Sequence, residues 1–393
     1  MKSLIEYFFE SLSKKSIKKL EEYISDDNID EYIKLIKRHG ASLGIDNDSY
    51  DNFFEIHGLS KLNWGRNNSA KKQFVKLFSE EDHLDILTSI VKNDGVLSIK
   101  DVEENGNIFN LCKIEDNDFS DEAKTIATWT NSTSANAGPC EMLLKFILKE
   151  GRTFKSGDVG IHDGEDKEME VKAATTGKNA SGGHAAGQKE NNGQKIRGAW
   201  SIYLYLNKNL FNLGDDNATA DKSAYFQNDN GIKNFNQLIK DNKLDKDDKS
   251  LKTLSNGIVD ALCFQYNFIT NEKDSKNSLN TIDKLYDAAY IYCKSIYDNG
   301  FKRQDLFNLV GCIQLYLYSQ IEKFDYFFCV QVDKSDESTN KNNGNYWCAK
   351  NCKSQDTKLL KFDIVTNNLY FGQLDSPTSP QGRTGKIYMK IKQ

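Results

Sequence analysis

The chain has no apolar run approaching the roughly 20 residues that a membrane-spanning helix needs, and its mean hydropathy is −0.64. No membrane partner is expected. The opening stretch MKSLIEYFFESLSKKSIKK lacks both an uninterrupted apolar core and a small-residue cleavage site, so it reads as an amphipathic helix and not as a signal peptide. An excess of positive charge is also missing: the net charge is −5 and the pI about 5.7. This excludes a generally basic nucleic-acid coat. It leaves room for an enzyme with a local basic track beside an acidic, metal-binding centre. No GxxxxGK[ST] motif is present, so ATP-driven action within this chain is not expected. Zinc-ligand spacing is absent too. Of eight cysteines only Cys348 and Cys352 are near neighbours, and no second pair follows. Most of the others lie in apolar contexts such as DALCFQY and FFCVQV, which predicts buried free thiols in a reducing compartment. Proline occurs three times, while Asn and Lys are abundant, a composition compatible with an AT-rich coding genome such as that of many phages.

At 393 residues the chain can bury a sizeable core and form more than one folding unit. Residues 1–130 read as a mainly helical region, with Leu4, Tyr7, Phe8, Leu12, Ile17, Leu20 and Tyr23 at near-helical spacing. A second helix is expected over 29–38 and another after Asp82, ending near Gly95. The following VLSIKDV reads as a short strand or a further helix. Residues 131–332 read as an α/β core with a polar insertion at about 207–280. Residues 333–393 read as a β-rich segment with strands over 359–365, 368–374 and 386–391. A strand is also expected over 324–332, and helical periodicity is strong over 281–321.

The informative stretch is 138–174, GPCEMLLKFILKEGRTFKSGDVGIHDGEDKEMEVKAA. Pro139 suits a first helical position, Leu143, Leu144, Ile147 and Leu148 give the helix an apolar side, and Gly151 reads as its stop. A strand from Asp158, a turn at Gly164 and a return strand over 167–174 form a hairpin. On the return strand Glu170 and Lys172 share a face, with Met169, Val171 and Ala173 on the other. Phosphodiester hydrolysis needs an activated water and relief of charge on the phosphorus centre, and one or two Mg²⁺ ions supply both. Mg²⁺ takes a few carboxylates plus waters and substrate oxygens. Asp158 and Glu170 are suited to such ligation, the carbonyl of Val171 could add a third oxygen, and Glu141 on the preceding helix could hold a second ion or its water. Lys172 is placed to polarise the attacking water and to stabilise charge on the phosphate.

Asp158, an eleven-residue interval, Glu170-Val-Lys172 and an upstream helical glutamate together resemble the PD-(D/E)XK, or restriction-endonuclease-like, nuclease superfamily. The resemblance covers residues 138–206, and Gly157 stands where the family often has proline. It implies an α/β (α+β) fold in which a mixed sheet is flanked by helices. It also implies Mg²⁺, or alternatively Mn²⁺, on Asp158 and Glu170, with Lys172 as the catalytic lysine and Glu141 as the accessory helix acid. The function implied is a Mg²⁺-dependent endonuclease on DNA, of restriction or phage type. Its place would be the cytoplasm, that of the host if the chain is phage-encoded. Restriction enzymes often cut as homodimers, although no dimer helix is identifiable in this sequence.

The glycine-rich loop 175–198 carries Lys178, Lys189, Lys195 and Arg197 against the single acid Glu190. It is either a solvated linker or a loop that grips phosphates. Other acid-x-Lys triplets occur, namely Glu122-Ala-Lys124, Asp241-Asn-Lys243, Asp247-Asp-Lys249 and Asp356-Thr-Lys358, but they lack the strand start and the helix glutamate. His162 and His184 flank the acids and offer a minor general-base alternative. The competing functional class is a non-catalytic structural or assembly protein of virion type that retains a nuclease-like fold.

Overall fold

The computed structural model describes residues 81–114, 117–128, 140–152, 158–176, 247–265, 275–297, 300–333, 341–373 and 387–392, together with isolated positions elsewhere. Helices and a mixed sheet make it an α/β chain. It divides into two compact units: residues 1–173 with 332–346, and residues 174–331 with 347–393.

In the first unit, helix α1 (Glu81–Lys92) buries Ile86, Leu87, Ile90 and Val91, a stripe that recurs every helical turn. Gly95, at φ +98°, reverses the chain after it, and its N–H donates to the Ile90 carbonyl at 2.9 Å. A Cβ at Gly95 would stand 2.7 Å from the backbone nitrogen of Lys149, so glycine is required both by the left-handed backbone and by the close approach. Strand β1 (Asn105–Asn107) leads into a 3₁₀ turn at Ile108–Cys112, capped by the Asn107 side chain on the Phe109 amide. Helix α2 (Ser120–Ala127) buries Ala123, Ile126 and Ala127 against this turn and against helix α3 (Glu141–Ile147).

Strands β2 (Gly151–Arg152), β3 (Val159–His162) and β4 (Asp166–Thr176) then run antiparallel. The expected hairpin is present, with its turn at Gly164. The register is Val159↔Met169, Gly160↔Glu168, Ile161↔Lys167 and His162↔Asp166. Val159, Ile161, Met169, Val171 and Ala173 are all buried, the period-2 pattern of a strand with one face on a core.

The second unit is built on helices α4 (Asp248–Gln265), α5 (Ser275–Tyr297) and α6 (Arg303–Glu322). Leu254, Ile258 and Leu262 of α4 meet Leu285, Ala289 and Cys293 of α5, each set spaced by one helical turn. Helix α6 is buried nearly all round, with Leu309, Val310, Cys312, Ile313, Leu315, Tyr316 and Leu317 inside, as befits a central helix. Strands β5 (Tyr326–Asp333) and β6 (Asn345–Lys350) are neighbours, and the chain passes between the two units within them. Phe327 and Trp347 meet edge to face at 6.1 Å in this core. Helix α7 (Phe362–Asn368) precedes strand β7 (Leu369–Gln373), which pairs antiparallel with β8 (Ile387–Ile391). All eight cysteines are buried, as apolar contexts predicted for most of them, and each lies outside any disulfide.

Several expectations change. The helix expected to stop at Gly151 ends at Ile147, because Val96 and Leu97 donate to the Ile147 carbonyl at 2.8 and 2.9 Å and Leu148 bridges Leu97. That same bridge and a following turn replace the strand or helix read into VLSIKDV. The run 359–365 is not a strand: Lys358–Leu360 forms a 3₁₀ turn and α7 follows, burying Phe362, Val365 and Thr366 at helical spacing. The 333–393 segment is therefore not purely β-rich. The polar insertion read over about 207–280 carries the whole of α4, opened by the Ser250 amide donating to Asp247 at 2.8 Å. The helices read before residue 81, Pro139 and Gly157 lie outside the described residues, apart from isolated helical positions such as Lys37 and Arg38.

Candidate active site

The hairpin register explains why an eleven-residue interval matters. Val159 pairs with Met169, and continuing that register by one residue sets Asp158 opposite Glu170. Residues directly across an antiparallel pair point to one face, so the two carboxylates are brought together. Like charges so placed repel unless something neutralises them. Lys172, two residues beyond Glu170 on the same face, does so. Its ammonium ion-pairs with Glu170 and lies 3.6 Å from Asp158 Oδ2. That Asp158 oxygen also accepts the Val171 N–H at 2.9 Å, which ties the acid to the strand that carries its partner. Val171 thus meets the site with its amide.

The cluster is enclosed. Glu170 is 6% exposed, as is Glu141, while Asp158 and Lys172 are half-buried. Burial works against the charge on Lys172, but the carboxylates of Glu170 and Asp158, the hydrogen bond to Glu170 and the more distant Glu141 outweigh it. Its pKa is raised. Lys172 is therefore a fixed cation at neutral pH and not a proton acceptor.

Glu141 enters from α3. The residue before it, Cys140, is fully buried and holds φ +72°, a left-handed backbone that costs a non-glycine residue about 1–3 kcal/mol. Its N–H donates to the Ala127 carbonyl at 2.8 Å, so contact with α2 fixes the strained residue. The helix thus starts two residues after Pro139, with Glu141 in its first turn, where the helix dipole favours a carboxylate.

Lys145 is the residue that sequence reasoning missed. It lies one turn along α3 from Glu141. Burial lowers its pKa, against the pull of Glu141 and Asp158. Its signal was the Glu–Lys spacing of four on a helix otherwise buried from Glu141 to Ile147.

His162 is exposed at the far end of β3 and pairs with Asp166 at 2.7 Å. His184 pairs with Met389 of β8 in the second unit. Lys195 lies in a two-residue strand opposite Glu190, also in the second unit, while Lys178, Lys189 and Arg197 lie outside the described residues. Glu122 and Lys124 sit on α2, and Lys249 sits in the first turn of α4; on a helix, residues two apart do not share a face.

Asp158 and Glu170 provide hard oxygen donors of the kind Mg²⁺ takes, one or two carboxylates with the remaining positions left to water and phosphate. Among the described residues, no three His, Cys, Asp or Glu side chains converge as a closed ligand group. Among the described residues, no helix is long and apolar enough to cross a membrane. The chain matches no known protein family, no curated protein and no solved structure.

Proposed function

We propose that the chain is a Mg²⁺-dependent endonuclease that hydrolyses DNA phosphodiester bonds, of restriction or phage type. The observation that carries this reading is the sharing of one lysine ammonium by two cross-strand carboxylates, Asp158 and Glu170, with Glu141 on an adjoining helix. Asp158 and Glu170 would hold the cation, and Glu141 would support it from α3. When bound, Mg²⁺ supplies Lewis-acid polarisation of the phosphate and a water of lowered pKa. The protein's own groups do the rest. Lys172 stays protonated and holds positive charge where phosphate oxygens gain negative charge, in an enclosed site where such stabilisation is strong. The Val171 amide fixes one Asp158 oxygen and so orients the carboxylate. Cys140 and the start of α3 set the position of Glu141.

The test is plasmid nicking by purified protein with Mg²⁺, beside Lys172→Ala and Glu170→Ala. Cleavage that needs Mg²⁺ and is lost in both variants supports the assignment. Equal cleavage by wild type and variants removes it.

A further inference from the structure

The loop 96–100 is fastened to both elements that carry the site's acids, and Glu150 is where its fastenings meet. At the end of α3 the Val96 and Leu97 amides donate to the Ile147 carbonyl at 2.8 and 2.9 Å, and the Lys149 amide donates back to the Leu97 carbonyl at 3.0 Å. Glu150, half-buried, then accepts twice through its carboxylate. Ser98 Oγ donates to Oε1 at 2.6 Å, and the Ile99 amide donates to Oε2 at 3.1 Å. The Glu150 carbonyl accepts the His162 amide of β3 at 2.7 Å. Lys100 adds an ion pair to Asp163 in the hairpin turn at 2.7 Å, but its side chain is 69% exposed, and ion pairs so wet contribute little. Hydrogen bonds to a carboxylate are about twice as strong as neutral ones, so Glu150 is the firmer of the two ties. Helix α3, which carries Glu141, lies against β2 and β3.

We propose that Glu150 is a positioning residue of the candidate active site: through Ser98, Ile99 and the His162 amide it sets the end of α3 against the hairpin, and so sets Glu141 relative to Asp158 and Glu170. The inference rests on the nuclease reading and extends it to a residue that neither the Glu-x-Lys pattern nor the hairpin contains. Glu150 acts through Glu141, nine residues earlier in sequence, and its role is not to meet the cation or the substrate itself. Such a role matters because a misplacement of about 1 Å at a reacting centre can cost about 10²-fold in rate.

The experiment is a double-mutant cycle on Mn²⁺ affinity, measured on full-length protein without DNA, with single-turnover plasmid nicking measured beside it. Glu150→Ala is expected to weaken Mn²⁺ binding about tenfold, the lower end of the loss seen when groups that orient metal ligands are removed. It is also expected to slow nicking at saturating DNA without changing the DNA concentration that half-saturates the rate. Glu150→Gln keeps an acceptor for the Ile99 amide and a partner for the Ser98 hydroxyl while removing the charge, and is expected to restore both quantities. In a Glu141→Gln background Glu150→Ala is expected to cause no further loss of Mn²⁺ affinity, whereas sites that act independently add. Where Glu150→Ala does not fold, Ser98→Ala removes the 2.6 Å donor alone and is taken through the same cycle. Mn²⁺ affinity unchanged by Glu150→Ala, an equal loss in the two backgrounds, or a Gln variant as weak as the Ala variant overturns the inference while leaving the nuclease reading intact. Wild-type protein that neither binds Mn²⁺ nor nicks DNA overturns both.

Discussion

Replacing Lys172 by methionine removes the ammonium and keeps most of the side-chain volume. Glu170, 6% exposed, and the half-buried Asp158 then face each other without their common counter-charge. The 3.6 Å separation of Lys172 from Asp158 corresponds to about 5 kcal/mol of gross attraction at an effective dielectric of ~20. Restored hydration of the acids offsets part of that. Removing one member of a buried pair costs about 3–5 kcal/mol, so a net loss near the lower end, about 3 kcal/mol, is expected. With a urea m-value of about 2 kcal/mol/M the unfolding midpoint falls by about 1.5 M. The assay is urea unfolding of wild type and Lys172→Met in EDTA and in Mg²⁺. A dication at about 100 times its dissociation constant restores about 2.7 kcal/mol, so Mg²⁺ should stabilise the variant more than it stabilises wild type. Coincident midpoints in EDTA would refute the argument that Lys172 holds the two acids together.

Three further outcomes follow from other parts of the structure. Gly311→Ala in α6 places a Cβ 2.2 Å from the Phe371 ring, and overpacking of this kind should cost about 1–3 kcal/mol in thermal or urea unfolding despite alanine's better helix propensity. Burial raises the Cys263 and Cys293 thiols to about 12; titration with a thiol reagent at pH 8 should leave all eight buried cysteines unreacted until the protein is unfolded. Asp248 has its pKa lowered by the hydrogen bond from Tyr290 and by Lys294. A depressed carboxylate contributes stability that is present above its ordinary value of 3.8 and lost as pH falls through the folded one, so Asp248→Asn should flatten the acid limb of a stability–pH curve.

The hairpin was legible in the sequence because its strands alternate and Gly164 marks the turn. The acid interval was legible because strand pairing converts a residue count into a cross-strand neighbour. Helices α5 and α6 were legible from periodicity over many turns. What was missed has local causes. Phe362, Ile364 and Val365 favour a strand by composition, yet the run is short and its buried members, Phe362, Val365 and Thr366, follow a helical spacing. The end of α3 depends on Val96 and Leu97, about fifty residues earlier in sequence, and no local stop signal reports that contact. Strand β6 was hidden because it follows directly on the polar run DKSDESTNKNNGN, which masks its apolar centre, Tyr346–Ala349. Lys145 was passed over because a single lysine on an apolar helix reads as its solvent side; only the fold brings α3 against β3, which Asp158 precedes.

The central claim is that Asp158, Glu170 and Lys172 form a cation-dependent phosphodiester-cleaving site. The measurement that bears on it most directly is the single-turnover rate of plasmid nicking against Mg²⁺ concentration, for wild type and for Glu170→Gln. Glu170→Gln keeps the shape of the side chain and removes its charge. The account predicts a wild-type rate that rises with Mg²⁺ and vanishes in EDTA, and a loss of at least ~10²-fold in the variant, the scale expected when a group that stabilises transition-state charge is removed. Equal rates for the two proteins, or no nicking by wild type at any Mg²⁺ or Mn²⁺ concentration, would contradict it.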